Sequence, residues 1–336
     1  RATTEQTITA EAKKLWNYAA FGSGTDTMSE NGKNNGYSGS LEDGTLKLWS
    51  LNSKGKLVPA STDGLAYYYT VMDAETENFT LTADITVDSW TFTNGQEGFG
   101  LMAADSVGEN GDYSVFWNNS YMVSATKVEY LWDDAEGKVS DSGSKYTMKL
   151  GVGSQEKIGV TPEAVAADTA VKVLSSKMTT LDTSAPLSGN GAGTYNLVGG
   201  YTNSVLKDIT DLNAQTTFRM TIQRNNTGYF LSYTNLATGE TTTNKYYHGD
   251  DCDELTRLDK ENIYVGFFAS RSARVSVSNV NLVTIDPSKD APAEERPITY
   301  VTPNYTIESS RTANTENYQM VYYGNATGTL TITNSD

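Results

Sequence analysis

The chain of 336 residues carries 41 Asp and Glu against 25 Lys and Arg, a formal charge of −16, which argues against binding nucleic acid or an anionic membrane through a general basic surface. A single cysteine, Cys252, and a single histidine, His248, exclude an internal disulfide, a Cys/His zinc site and any dyad that needs a second histidine. With 29 Gly, 21 Tyr and only 20% charged residues, the composition is that of a turn-rich, all-β, secreted or cell-surface protein, and no apolar run approaches a membrane span.

In chain order, TAEAKKLWNYAAF reads as a helical turn or an edge segment, with Trp16 and Phe21 sealing one end of the core. A Gly, Ser and Asn-rich loop, Gly22–Ser40, precedes a strand at Leu46–Ser50, and an Asp-Gly turn then leads into a tyrosine-rich strand with Tyr67 and Tyr69 on one face and Tyr68 on the other. Asn78–Trp90 is the cleanest strand: Leu81, Ala83, Ile85 and Val87 face inward, while Thr80, Thr82, Asp84, Thr86 and Asp88 face out. Gly98–Ala104 is apolar on both parities, as expected for a strand covered on both sides. Tyr113–Trp117, Met122–Trp132 and Tyr146–Gly151 are further strands, and Thr161–Ala185 reads as a loop excursion with one helical turn begun by Thr161 and Pro162.

Phe218–Thr234 is a β-hairpin: Phe218, Met220 and Ile222 alternate with polar residues, Asn225, Asn226 and Gly228 supply the positive φ of a reversal, and Tyr229, Leu231 and Tyr233 resume the alternation. Strands at Ile263–Ser270 and Arg274–Leu282 join it in the central sheet of an antiparallel sandwich. Within the second of these, the apolar set moves from Val275 and Val277 to Val280 and Leu282, a slip that predicts a β-bulge. Residues 1–284 therefore form one sandwich. Residues 285–299, rich in proline and charge, form a linker, and residues 300–336 begin a second small, Ig-like β module with strands at Tyr305–Ser309, Tyr318–Gly324 and Thr327–Thr333. A chain that starts at Arg1 and stops in mid-pattern is expected to be a piece of a longer protein, a monomer within a multidomain chain.

The order NFTLTADITVDSW, GQEGFGLMAAD, FRMTIQRNNTGYFLSYT and IYVGFFASRSARVSVSNVNL resembles the concanavalin A-like, laminin-G-like jelly-roll sandwiches of secreted carbohydrate-active proteins. More narrowly, LVPASTDGLAYYYT, FWNNSYMVSATKVEYLWD, LGVGSQEKIGVT and DAPAEERPITYVTPNY are similar to the non-catalytic amino-terminal region of large extracellular bacterial pectate lyases, over about residues 10–300. The resemblance implies a module attached to a lyase domain elsewhere in the parent protein, plant cell-wall polysaccharide such as pectin as partner, and a structural calcium ion, for which no ligands stand out.

An enzyme of the sandwich type needs paired carboxylates at short spacing. Glu97 and Glu129 each stand alone, and the acidic run Asp250, Asp251, Asp253 and Glu254 lacks the glycine-spaced pattern of a calcium loop. Glycan binding asks instead for flat aromatic rings against sugar faces, with amides for the hydroxyls. Trp117, Asn118, Asn119 and Tyr121 offer such a set; the alternative is a core tryptophan that closes a strand at an Asn-Asn turn. A polyuronate needs cations as well, and the candidates are Lys127, Arg271 and Arg274, with Lys54, Lys56 and Lys157 behind them. The rival reading is a structural spacer or adhesin domain with no glycan site.

Overall fold

The computed structural model describes residues 14–26, 33–58, 62–90, 96–132, 145–160, 175–182, 194–198, 217–249, 253–256, 258–298, 305–309 and 330–334. The chain divides into two units, residues 1–294 and 295–336. The first unit holds strands β1 (Asn17–Gly22), β2 (Asn35–Ser38), β3 (Lys47–Lys54), β4 (Gly64–Asp73), β5 (Asn78–Trp90), β6 (Gly98–Ala104), β7 (Ser120–Trp132), β8 (Lys145–Ile158), β9 (Ser175–Asp182), β10 (Thr194–Val198), β11 (Thr217–Arg224), β12 (Gly228–Thr234), β13 (Thr241–Tyr247) and β14 (Asn262–Ile285).

Every pairing among the described strands is antiparallel, and those of the first unit make two sheets. The first runs β8–β7–β6–β14–β4–β1, with β9 and β10 sharing the outer edge of β8. The second runs β13–β12–β11–β5–β14–β3–β2. Strand β14 belongs to both. Its first part, to Ser270, pairs with β4 and β6, and the part from Arg271 pairs with β3 and β5. Arg271 sits at φ 71, and this left-handed residue turns the strand from one sheet into the other. The stretches expected as two neighbouring strands of one central sheet are thus one strand that links both layers.

Between the sheets lies the main core, in which Leu81, Ile85, Trp90, Phe99, Leu101, Phe218, Ile222, Leu231, Val265 and Phe267 meet. Burying each of these large side chains is worth about 1.5–3 kcal/mol. The alternation in β5, β11 and β12 holds as expected except at Asp84, which is buried, and the slip in β14 is a bulge, with the register against β5 shifting between Ser278 and Asn281 and Asn279 at φ 49. At the hairpin tip only Gly228 has positive φ, because the Asn225 side chain closes the reversal by accepting from the N–H groups of Thr227 and Gly228.

Strand β6 is buried on both faces, for a reason visible on the first sheet's outer side. There a second, smaller core of Phe21, Leu57, Leu65, Tyr67, Met102, Met122 and Phe268 is covered by loops. Tyr113–Trp117, expected as a strand, belongs to one of these covering loops. Ser175–Asp182, expected within a loop excursion, is strand β9, while 161–174, the place of the expected helical turn, lies outside the described residues. In the second unit β15 (Tyr305–Ser309) pairs with β16 (Leu330–Asn334), and the strand expected at 318–324 lies outside the described residues.

Candidate glycan-binding site

The loop from Asp105 to Asn119 crosses the outer side of the first sheet between β6 and β7. Its two ends are clamped together by a buried pair. Asp105 Oδ1 accepts from the Asn119 backbone N–H at 2.8 Å and Oδ2 from Asn119 Nδ2 at 2.7 Å, and the Asn119 side-chain oxygen accepts from the N–H groups of Gly159 and Val160. Burial pushes the Asp105 carboxyl up to about 7, against the opposing effect of the hydrogen bonds from Asn119. The middle of the loop is held as well. Gly22 N–H donates to Asp112 O, Gly111 N–H to Ala20 O, and Asp112 Oδ1 accepts from both the N–H and the hydroxyl of Ser114.

The loop grades from surface to cover along its length: Asp112 to Val115 are exposed, Phe116 to Asn118 half-buried and Asn119 buried. Phe116 points down onto Phe21, ring centroids 4.9 Å apart at 74°. Tyr113 and Val115 stand out at 61% and 59% exposure, and Trp117, half-buried, joins neither core cluster among the described residues. Asn118 is half-buried, with its amide donating to Ser106 O. The loop therefore presents Tyr113 and Val115 to solvent from a firmly tied frame, with Trp117 half-buried beside them.

Two of the expected residues are not on that surface. Asn119 is buried and spent on the clamp. Tyr121 is 1% exposed and points between the sheets, stacked on Tyr229 at 5.0 Å and packed against Tyr246. The reason is parity: Tyr121 is the second residue of β7, and its face is the one that meets the second sheet. Sequence reading missed Tyr113 and Val115 because the same residues fit a strand. The available signal was Asp112 two residues before Ser114, the spacing of an Asx turn.

The cations separate into different surroundings. Lys157 is buried and pairs with Asp63 at 2.6 Å, so it fastens a covering loop. Arg274 lies on the second sheet, 4.9 Å over the Trp49 ring. The side chain of Lys127 lies outside the described ones; its backbone pairs with Leu150, beside a register shift in β7. Arg271 is opposite Lys54 in the β3–β14 register, and Lys56, just beyond the end of β3, is half-exposed like both of them. Arg271 donates to Gly55 O, Gly55 N–H donates to Gly24 O, and Gly22 N–H holds the aromatic loop at Asp112. Arg271, through Gly55, and the loop at Asp112 are thus both tied to one turn, Gly22–Thr25, and Lys54 and Lys56 flank Gly55 in the chain. A buried acid, Glu97, faces Arg271 at 3.6 Å.

Among the described residues no group of three or more His, Cys, Asp or Glu is arranged to hold a metal ion, and no helix is long and apolar enough to cross a membrane. The acidic residues Asp250 and Asp251 lie outside the described residues.

Residues 18–126 and 188–287 match the family model described as the pectate disaccharide-lyase N-terminal domain. The chain belongs to that family. Pectate lyase L of Thermoclostridium stercorarium is 27% identical over 336 residues, covering 98% of this chain and 22% of the relative. The pectate disaccharide-lyase of Dickeya chrysanthemi is 26% identical over 294 residues, covering 84% of this chain and 33% of the relative. This N-terminal domain therefore spans between a fifth and a third of the length of those two proteins. Among solved structures, a lectin from Bauhinia forficata in complex with GalNAc overlaps 82% of this chain and all of its own at 10% identity, with a TM-score of 0.35. The two matched stretches of the N-terminal domain take in the aromatic loop, Lys54, Lys56, Arg271 and Arg274, and they stop one residue short of Lys127.

Proposed function

We propose that this domain is a non-catalytic carbohydrate-binding module of an extracellular polysaccharide-degrading protein, and that it holds acidic plant cell-wall glycan, with pectin as the ligand. The observation that supports this reading is that one turn, Gly22–Thr25, holds both the aromatic loop, at Asp112, and Gly55, which Lys54 and Lys56 flank and to which Arg271 donates. Sugar rings lay their C–H faces on Tyr113 and Trp117, while uronate carboxylates meet Lys54 and Lys56, with Arg271 beside them already facing Glu97. Binding is reversible and the chemistry of cleavage belongs to another part of the parent protein, a division supported by the small share of the lyase relatives that this domain covers. A structural calcium ion remains part of the proposal.

The second reading, a spacer without a glycan site, draws on one observation: Tyr121 and Asn119, half of the expected surface set, are buried. Calorimetry against polygalacturonate, esterified pectin, xylan and arabinan, with calcium and then with chelator, separates the two. The module reading expects polygalacturonate to bind best, with affinity lowered by salt and about tenfold or more by Trp117→Ala or by Lys54→Ala with Lys56→Ala. Retention of none of the four glycans, or binding that ignores all three substitutions, leaves the spacer reading standing.

A further inference from the structure

On the outward face of the second sheet, strands β2, β3, β14 and β5 bring Gly36, Trp49, Arg274 and Ser89 into one row. Their registers set Gly36 opposite Trp49, Trp49 opposite Arg274 and Arg274 opposite Ser89. The Trp49 indole is buried and pinned, its Nε1–H donating to Lys33 O at 3.1 Å. The Arg274 guanidinium lies over that ring, 4.9 Å from the centroid. Stacking on an indole fixes the plane of a guanidinium while leaving its N–H groups, which lie in that plane, open to an acceptor at the edge.

No acceptor has taken them. Arg219 donates to Asp84, Arg224 to Glu77 O and Arg271 to Gly55 O, whereas Arg274 donates to no acceptor among the described residues, and its nitrogens reach solvent. The charge is unmatched as well. Of the two acids on the strands of this face, Asp88 is held by Lys47 at 3.1 Å and by the Ser276 hydroxyl, and Asp84 by Arg219 at 2.8 Å and by Asn279. Lys245 is matched in turn by Glu294. With those pairs subtracted, Arg274 carries positive charge that no carboxylate neutralises. Beside it, Ser89 and Ser272, the latter two residues earlier on β14, are partly exposed, and their hydroxyls make no hydrogen bond among the described residues.

We infer that Arg274, seated on Trp49, is a second subsite for acidic glycan: its fork takes one uronate carboxylate through two parallel hydrogen bonds, and Ser89 and Ser272 take hydroxyls of the same sugar. The ligand class rests on the proposed function, but the residues lie on the other sheet from the aromatic loop. The test follows arginine Nε–Hε and backbone amide signals by NMR during titration with digalacturonate and, as a neutral control, galactobiose. Digalacturonate should move the Arg274 Nε–Hε signal and the amides of Ser89 and Ser272, and galactobiose should leave them in place. Arg274→Gln should abolish the shifts at Ser89 and Ser272 and keep those at Tyr113 and Val115. Arg274→Lys, which keeps the charge and loses the fork, should weaken this subsite about tenfold. Shifts on the loop with none at Arg274, or shifts at Ser89 and Ser272 that survive Arg274→Gln, overturn the subsite and leave the proposed function standing. An equal response to galactobiose, or Arg274→Lys titrating as wild type, overturns carboxylate recognition by the fork. Shifts at Arg274 with none on the loop keep the subsite and remove the loop from the proposed function. No shift with either sugar overturns both.

Discussion

The clamp that holds the aromatic loop is expected to loosen as pH rises. Asp105 is wholly buried and its carboxyl is raised from the ordinary 3.8 to about 7, chiefly by burial. An acid whose folded pKa lies above its unfolded value adds stability that is complete below pH 3.8 and is lost progressively until the pH passes 7. Between pH 5 and pH 8.5, protonation linkage for such a shift amounts to about 3 kcal/mol. Asp105→Asn keeps a side chain of the same shape, with an amide where the carboxyl stood, and does not titrate. Urea unfolding of both proteins should therefore show the wild type losing about 3 kcal/mol more than the variant over that interval, other acids cancelling in the comparison. Where the ionised carboxylate opens only the loop, the same dependence appears as weaker glycan binding at high pH in the wild type alone. A difference between the two proteins that stays constant from pH 5 to pH 8.5 in both assays would refute the argument. It would mean that the donors from Asn119 keep Asp105 charged throughout.

Three further outcomes follow from packing and charge. Gly228 sits at φ 155, and a Cβ built there would lie 1.8 Å from Tyr246 O, so Gly228→Ala should force β12 from β13 and lower the urea midpoint by the equivalent of more than about 3 kcal/mol. Trp90 is fully buried against Phe99, ring centroids 5.1 Å apart, and Trp90→Ala should cost about 3–5 kcal/mol in the same measurement. Asp84 was expected to face solvent, yet it is 5% exposed under Arg219, which donates to both its oxygens at 2.8 and 3.0 Å, and Asn279 at 2.7 Å. Burial raises its pKa, but the hydrogen bonds from Arg219 and Asn279 with the Arg219 charge outweigh that and hold it below the ordinary value. Arg219→Ala should cost about 2 kcal/mol at neutral pH, discounted for the partial exposure of the arginine, and the deficit should shrink as acid protonates Asp84. An acid titration of both proteins checks the sign.

The fold was legible wherever one face of a strand is wet. Leu81, Ala83, Ile85 and Val87 against Thr80, Thr82 and Thr86 settle both the existence and the orientation of β5, and the shift of the apolar set to Val280 located the β14 bulge because a single extra residue must swap faces. The passage of β14 between sheets was not legible. Arg271 adopts positive φ with no Gly or Asn to announce it, and a strand that changes partners keeps its apolar period on either side. Strand β9 is composed of Ser, Lys, Met, Thr, Leu and Asp, with no sustained alternation to distinguish it from a loop. Tyr113–Trp117 failed in the opposite direction: aromatic and β-branched residues have the composition of a strand, but here they cover a sheet instead of pairing with one.

The candidate site shows why aromatic residues are easier to find than to assign. Trp117 and Tyr121 are four residues apart, yet the clamp at Asn119 lies between them, and one stays half-buried in the outer loop while the other packs between the sheets. Which side each takes depends on where β7 begins, and that is fixed by the hydrogen bonds of Asp105 and of Gly159 and Val160, from segments far away in sequence. The cations pose the same problem in stronger form. Lys54 and Arg271 become neighbours only through the register of β3 on β14, across more than half of the chain, while Lys157 looks equivalent in sequence and is consumed by Asp63. A surface charge acquires meaning for a ligand when its neighbours leave it uncompensated, and that is a property of strand register and not of the residue. For the same reason Lys54 and Lys56 are the better pair to remove when testing polyuronate binding: Arg271 also faces the buried Glu97, and its loss would confound recognition with stability.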